Sequence, residues 1–512
     1  MNTLAQLTLI ELRQLVNKLG DAGGTISASI YDTAQLLRYY PPKEGAEPAL
    51  KWLISQQKQD GGWGNPNFSH IRFIPTLAAI LAIHQHALLI PCANDSIQAG
   101  ILFLQRHAQE IDESRADLPV GAELILPKML YDAEQVSLPI DFTDFKPLLS
   151  LGNTKLQQIN AKSLIAATPP IFSWEAWGHR IDTNLIDPTG GIGHSPSATA
   201  YWLYIAQKTN SVPLAYIARA QKYLKQAEAA TGLNIPGVVP TAWPITRFEQ
   251  SYALEILSIS DLLDHPLLQD AIAQQVHDLA LAMRPNGLGF SDYFLPDVDD
   301  TAAAINVLSN THQHFHGNAL KRFENGDHFA TYPGELQFSI SATARGILAK
   351  QSIGQETASL QTALVKRQSP NGRWQGDKWN FSWLYSTLLA IVALKRSDTY
   401  RNALQSAVEA IQCSQNEDGG WGIGQDSSLT DTFYGALALH NARNHATISL
   451  DVLMRAYDWL KHNHKSSIHH DEYRWLNKQE YSPHRVDCCY ALCILAKLAL
   501  DEEFAICTTS RA

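Results

Sequence analysis

The sequence predicts an all-α protein organised as two helical barrels. Apolar residues recur at helical spacing, as in Ala253-Leu-Glu-Ile-Leu-Ser-Ile-Ser-Asp-Leu-Leu and Ala302-Ala-Ala-Ile-Asn-Val-Leu, whereas long alternating strand patterns are scarce. One loop type returns along the chain: Gln59-Asp-Gly-Gly-Trp-Gly, Pro285-Asn-Gly-Leu-Gly-Phe, Pro370-Asn-Gly-Arg-Trp and Asn416-Glu-Asp-Gly-Gly-Trp-Gly. Self-similarity of this kind marks a helical repeat. With 512 residues, 45% of them hydrophobic and 18% charged, there is enough apolar material for two cores.

Taken in order, the elements read as follows. The amino-terminal Met1-Asn-Thr-Leu-Ala-Gln-Leu-Thr-Leu-Ile-Glu-Leu has no basic region or cleavage site, and Glu11 falls within an amphipathic helical pattern. A cytoplasmic protein is expected. The longest apolar stretch, Ile74 to Ile90, is interrupted by His84, Gln85 and His86, which suits a buried helix better than a membrane span. In each recurring loop Asp or Asn beside Gly makes a tight turn, and the aromatic that follows can cover a neighbouring helix end. Copies near both ends of the chain imply one barrel around Gly61-Gly-Trp and another beyond Pro285, with a cavity between them as the natural site.

Several function classes drop out. Net charge is −10, with 40 basic against 50 acidic residues and no Lys/Arg block, so no nucleic-acid partner is expected. Cys92, Cys413, Cys488, Cys489, Cys493 and Cys507 have no paired CxxC spacing and read as small buried hydrophobes.

The chemistry concentrates in Asp297-Val-Asp-Asp-Thr-Ala, three carboxylates ahead of an apolar helix and just after the aromatic turn Phe290-Ser-Asp-Tyr-Phe. An acidic cluster at this place commonly caps the helix. Buried and crowded, however, at least one such carboxyl stays protonated near neutral pH. Facing a hydrocarbon, it can protonate an alkene, and aromatic faces can then stabilise the carbocation.

Asp297-Val-Asp-Asp resembles the DxDD signature of class II terpene cyclases, and the Gln/Gly/Trp loops resemble their QW repeats. Ser29-Ile-Tyr-Asp-Thr-Ala, Val120-Gly-Ala-Glu-Leu-Ile-Leu-Pro, Ser195-Pro-Ser-Ala-Thr-Ala, Asp377-Lys-Trp and Trp475-Leu-Asn-Lys extend the resemblance to the diterpene cyclase branch over nearly the whole chain. It implies a γβ architecture, with a β domain at 1–45 and 275–512 and a γ domain at 46–274 between them. It further implies Asp299 as general acid, tuned by Asp297 and Asp300. Glu123 corresponds to a glutamate linked to Mg²⁺ and diphosphate, and Lys155 and Lys378 to diphosphate-gripping lysines; Lys478 and Lys208 are weaker candidates for the same anionic end.

Two departures bear on the product. In ent-copalyl diphosphate synthases a His and an Asn hold the water that takes the final proton. Here those positions align with Phe172 and Thr241, so a bicyclic cation should survive long enough for hydride and methyl shifts, towards a kolavenyl (clerodane) or halimadienyl diphosphate. No DDxxD occurs, and the diphosphate should be retained. The implied substrate is geranylgeranyl diphosphate. A class I terpene synthase or a phosphatase acting downstream, and a second copy of this chain, are the compatible partners. Labdane-type copalyl, drimenyl and squalene-hopene-type cyclisation stay open at this point, as do, from other classes, an α-barrel glycosidase and a non-catalytic helical-repeat protein.

Overall fold

The computed structural model describes residues 3–110, 117–141, 143–161, 164–209, 212–333, 335, 338–424, 426–464 and 473–501. Among them lie twenty α-helices and only two hairpins, each of two-residue strands. Cys507 falls outside the described residues.

The helices close into two rings. In the first, Ile30–Tyr39 packs on Phe73–Gln85, which leads through Ala122–Gln135 and Trp174–Trp177 to Pro196–Thr209 and back to Ile30–Tyr39. In the second, Thr246–Ile259, Val298–Asn310, Ile340–Ser352, Trp383–Leu394, Leu429–Ala442 and His484–Leu500 follow one another around the ring. Partner helices such as Leu214–Ala230 and Arg401–Cys413 pack on the outside. The rings do not divide at 45 and 274. Helix Ile30–Tyr39 belongs to the first ring, and Thr246–Ile259 to the second, because their apolar faces are buried against those neighbours. The amino-terminal helix Thr3–Val16 lies against the last one, His484–Leu500.

One device repeats at the entrance of the inner helices. The backbone N–H of an apolar residue donates to a threonine in the first turns of the helix that follows it: Trp63 to Thr76, Ile192 to Thr199, Leu288 to Thr301, Trp374 to Thr387 and Trp421 to Thr432, at 2.9–3.1 Å. In the three tryptophan copies the indole N–H also donates to a carbonyl near the end of the preceding outer helix, that of Leu53, Leu364 or Ile411. The loop glutamines Gln57, Gln368 and Gln415 each bridge a loop carbonyl and a carbonyl of the next outer helix. These contacts satisfy helix-end groups that would otherwise be buried without partners.

Helix Phe73–Gln85 is buried over eleven residues, from Phe73 to Ile83, as the apolar stretch led one to expect, and is capped at His86. No helix among the described residues is long and apolar enough to cross a membrane. Cys489 and Cys493 are buried, but Cys92 and Cys413 are exposed, contrary to the sequence reading; both lie at an end of an outer helix.

Candidate active site

The acidic motif opens helix Val298–Asn310, and it repeats a pattern seen at other inner helices. Ser29, Ser195, Ser339 and Ser428 hold the place of Asp297, each accepting a hydrogen bond from the N–H three residues on. Asp297 does the same for the Asp300 N–H at 2.8 Å. Asp300 in turn matches Asp32 and Asp431, and its carboxylate accepts from Ser251 Oγ at 2.7 Å. Capping accounts for Asp297, and the bond from Ser251 accounts for Asp300. At the place of Asp299 the other copies carry Tyr31, Ser197, Ser341 and Thr430. Asp299 is buried, and neither of its carboxyl oxygens has a hydrogen-bond partner.

Burial raises the Asp299 pKa to about 7, with Asp377 and Asp300 adding to the rise and Arg345 opposing it. Asp300 is also pushed up to about 7 by burial, and Asp297 well above its usual range by burial and by the charges of Asp300 and Asp299. Near neutral pH this trio holds protons, as crowded carboxyls without solvent must.

Arg345 went unnoticed in the sequence. Its Nη1 lies 3.9 Å from Asp299 Oδ1, its Nε donates to Glu255 at 2.7 Å, and its Nη1 donates to the Tyr385 hydroxyl at 2.7 Å. The guanidinium carbon stands 4.0 Å from the Tyr252 ring centre, and Nη2 has no partner. A signal was present, since an arginine inside the apolar Ile340-Ser-Ala-Thr-Ala-Arg-Gly-Ile-Leu-Ala must be buried and needs a carboxylate.

All three acids line one cavity between the rings. Its walls are aromatic: Phe172, Phe248, Tyr252, Phe290, Phe294, Tyr332, Trp379, Trp475 and Tyr481. Such a surface excludes water and offers π faces to a cation.

The other residues singled out by sequence divide into three groups. Phe172 is in the cavity wall; Thr241 is not part of the lining and is fully buried with an unpartnered hydroxyl, while its neighbour Ala242 lines the space. Glu123 pairs with Lys155 near Val120, which lines the cavity, and Lys378 pairs with Glu335 while its ammonium lies 4.6 Å from the Trp379 ring. Asp377 of Asp-Lys-Trp is a structural acceptor for Ser339 and Ser341. Lys478 and Lys208 fall away as diphosphate ligands. Lys478 is wholly buried and donates to Glu175, Ser195 and Ser197, leaving no ammonium proton free, while Lys208 is exposed on Tyr204 and away from the cavity wall.

Among the described residues no group of three or more His, Cys, Asp or Glu side chains could hold a metal ion by itself. An ion at Glu123 would have to draw its remaining oxygens from a bound diphosphate and water, which is how Mg²⁺ is commonly held.

Comparison with known proteins agrees with this geometry. The chain is 42% identical to a (+)-kolavenyl diphosphate synthase of Herpetosiphon aurantiacus, over 98% of this chain and 99% of that protein. The chain belongs to the class II diterpene cyclases. It is 27% identical to an ent-copalyl diphosphate synthase of Streptomyces sp. (strain KO-3988), over 91% of each chain. Residues 339–470 match the squalene-hopene cyclase C-terminal domain. The fold of this cyclase is similar to that of ent-copalyl diphosphate synthase from Streptomyces platensis, with a TM-score of 0.76 at 22% identity, over 96% of this chain and 99% of that one.

Proposed function

We propose that this cyclase protonates the terminal alkene of geranylgeranyl diphosphate with Asp299, closes two rings, and releases a rearranged bicyclic diphosphate of kolavenyl type. The observation that carries this reading is an unpartnered, buried carboxyl, protonated near neutral pH, opening onto an aromatic cavity. It can give its proton to a carbon that no stronger base competes for. The similarity to a kolavenyl diphosphate synthase supports the rearranged product. So does Phe172, a wall residue with no atom that can accept a proton where copalyl synthases have a base-holding His.

Glu123, Lys155 and Lys378 would hold the diphosphate, with Lys155 and Lys378 turning from their carboxylate partners to phosphate oxygens. Mg²⁺, held by Glu123 and the substrate, would neutralise the diphosphate charge there. With the diphosphate bound rather than expelled, ionisation begins only at the alkene.

Incubation with geranylgeranyl diphosphate, then phosphatase treatment and NMR of the alcohol, tests the proposal. A kolavenol-type skeleton is expected. An unrearranged copalol skeleton would overturn the assignment of product, and absence of any cyclised alcohol would overturn the function.

A further inference from the structure

The hairpin of Trp475–Leu476 and Glu480–Tyr481 comes from the second ring, and its turn carries Lys478 into the first. There Nζ donates at 2.7 Å to each of Glu175 Oε1, Ser195 Oγ and Ser197 Oγ, and lies 3.7 Å from Asp32 Oδ1. Lys478 does not reach the cavity. It stands behind the wall, with Nζ 4.5 Å from the centre of the Phe172 ring.

An aromatic face attracts a cation through the negative potential above its plane. Phe172 already has one cation at its ring, so a carbocation on the cavity side would feel that ammonium through little intervening dielectric. Glu175 and Asp32 offset part of this charge, and the ammonium stands 4.5 Å from the ring centre. Phe290 and Phe294 differ. Their centroids are 4.3 Å apart, and among the described residues neither has a Lys or Arg within cation–π range. His194 stands edge-on to both at 5.4 Å, with Asp187 Oδ2 2.8 Å from its Nδ1 to balance any charge it carries.

We infer that Lys478 is a positioning residue of the cyclisation, acting through Phe172 to drive positive charge away from that wall and towards the Phe290–Phe294 side. This rests on the proposed function. Each 1,2-shift carries a hydride or methyl with its electron pair to the cationic carbon and leaves the charge on the carbon it departs; proton loss ends the series. Repulsion at Phe172 shortens the time the cation spends there, so migration outruns proton loss.

The test is the ratio of unrearranged to rearranged alcohols from geranylgeranyl diphosphate, read by gas chromatography and mass spectrometry. Lys478→Met should raise the ratio roughly threefold or more, since removing a nearby charge in a low-dielectric wall is felt at several ångströms. Glu175→Gln, which bares the ammonium, should not raise it. If thermal unfolding shows Lys478→Met to be misfolded, Lys478→Met/Glu175→Gln leaves neither member of the pair unpartnered and is read in its place. A folded, cyclising variant with the wild-type ratio would overturn the inference alone, as would an equal rise in Lys478→Met and Glu175→Gln, which marks simple loosening. A wild type that forms no cyclised product would overturn the proposed function and this inference with it.

Discussion

Asp297, Asp299 and Asp300 are neighbours of one chemical type, and their hydrogen bonds separate them. Asp297 caps the helix and Asp300 accepts from Ser251, whereas Asp299 makes no hydrogen bond. Asp299→Asn should therefore abolish cyclisation, by at least about 10²-fold in kcat, while circular dichroism and the thermal transition stay cooperative. The pKa adds a sign. Folding raises Asp299 from 3.8 to about 7, so between those values only the folded state holds the proton, and stability falls as pH rises through that window. The Asn variant escapes this loss, and its stability relative to wild type should improve from pH 4 to pH 8 in denaturant titrations. Activity follows the same proton: kcat should decline as pH rises through about 7. Because Arg345 lowers the Asp299 pKa, Arg345→Gln should move that alkaline limb upward and slow the reaction, a shift that mere loosening of the fold does not produce.

The repeated loop is the element that sets the inner helices in place. Its tryptophan read directly from sequence, and the indole makes the same bond in three copies, whereas the bridging glutamines Gln57, Gln368 and Gln415 stand two or more residues before the turns and were missed. Two further copies were not legible. Asp187-Pro-Thr-Gly-Gly-Ile has the turn and the Thr199 bond but lacks tryptophan, and Phe329 with Thr343 lacks the Gly-Gly turn. The invariant part is a backbone N–H meeting a threonine across the loop, which no one-letter pattern displays. Gly419 tests the turn: its φ is +95°, and an added Cβ would lie 2.7 Å from the Arg455 carbonyl oxygen. Gly419→Ala should destabilise by more than about 1 kcal/mol, read as a lower denaturant midpoint. Product identity should not change, since this loop lies outside the cavity wall.

Across the whole molecule, the cavity exists because two rings meet around the hairpin that ends in Tyr481. Val120 and Phe172 come from the first ring's loops, Asp299 and Trp379 from the second. Glu123→Ala and Lys378→Ala should each raise KM for geranylgeranyl diphosphate more than they lower kcat, because they act on capture of the anionic end. An unchanged KM in both would remove Glu123 and Lys378 from that role. Phe172→His, which returns a proton acceptor to the wall, should divert part of the product to an unrearranged skeleton, measured on the dephosphorylated alcohols. What the sequence by itself determined was the helical class, the repeat, the acid motif and the apolar character of Phe73–Gln85, all carried by local spacing and composition. Tertiary structure decided the rest. Only packing assigns Ile30–Tyr39 and Thr246–Ile259 to their rings, leaves Asp299 without a hydrogen bond among three acids, sets Arg345 beside it, and turns Lys478 from a candidate anion ligand into a buried ion behind Phe172. Each is a relation between residues far apart in the chain, where burial and the choice of partner, rather than residue type, fix what a charge can do.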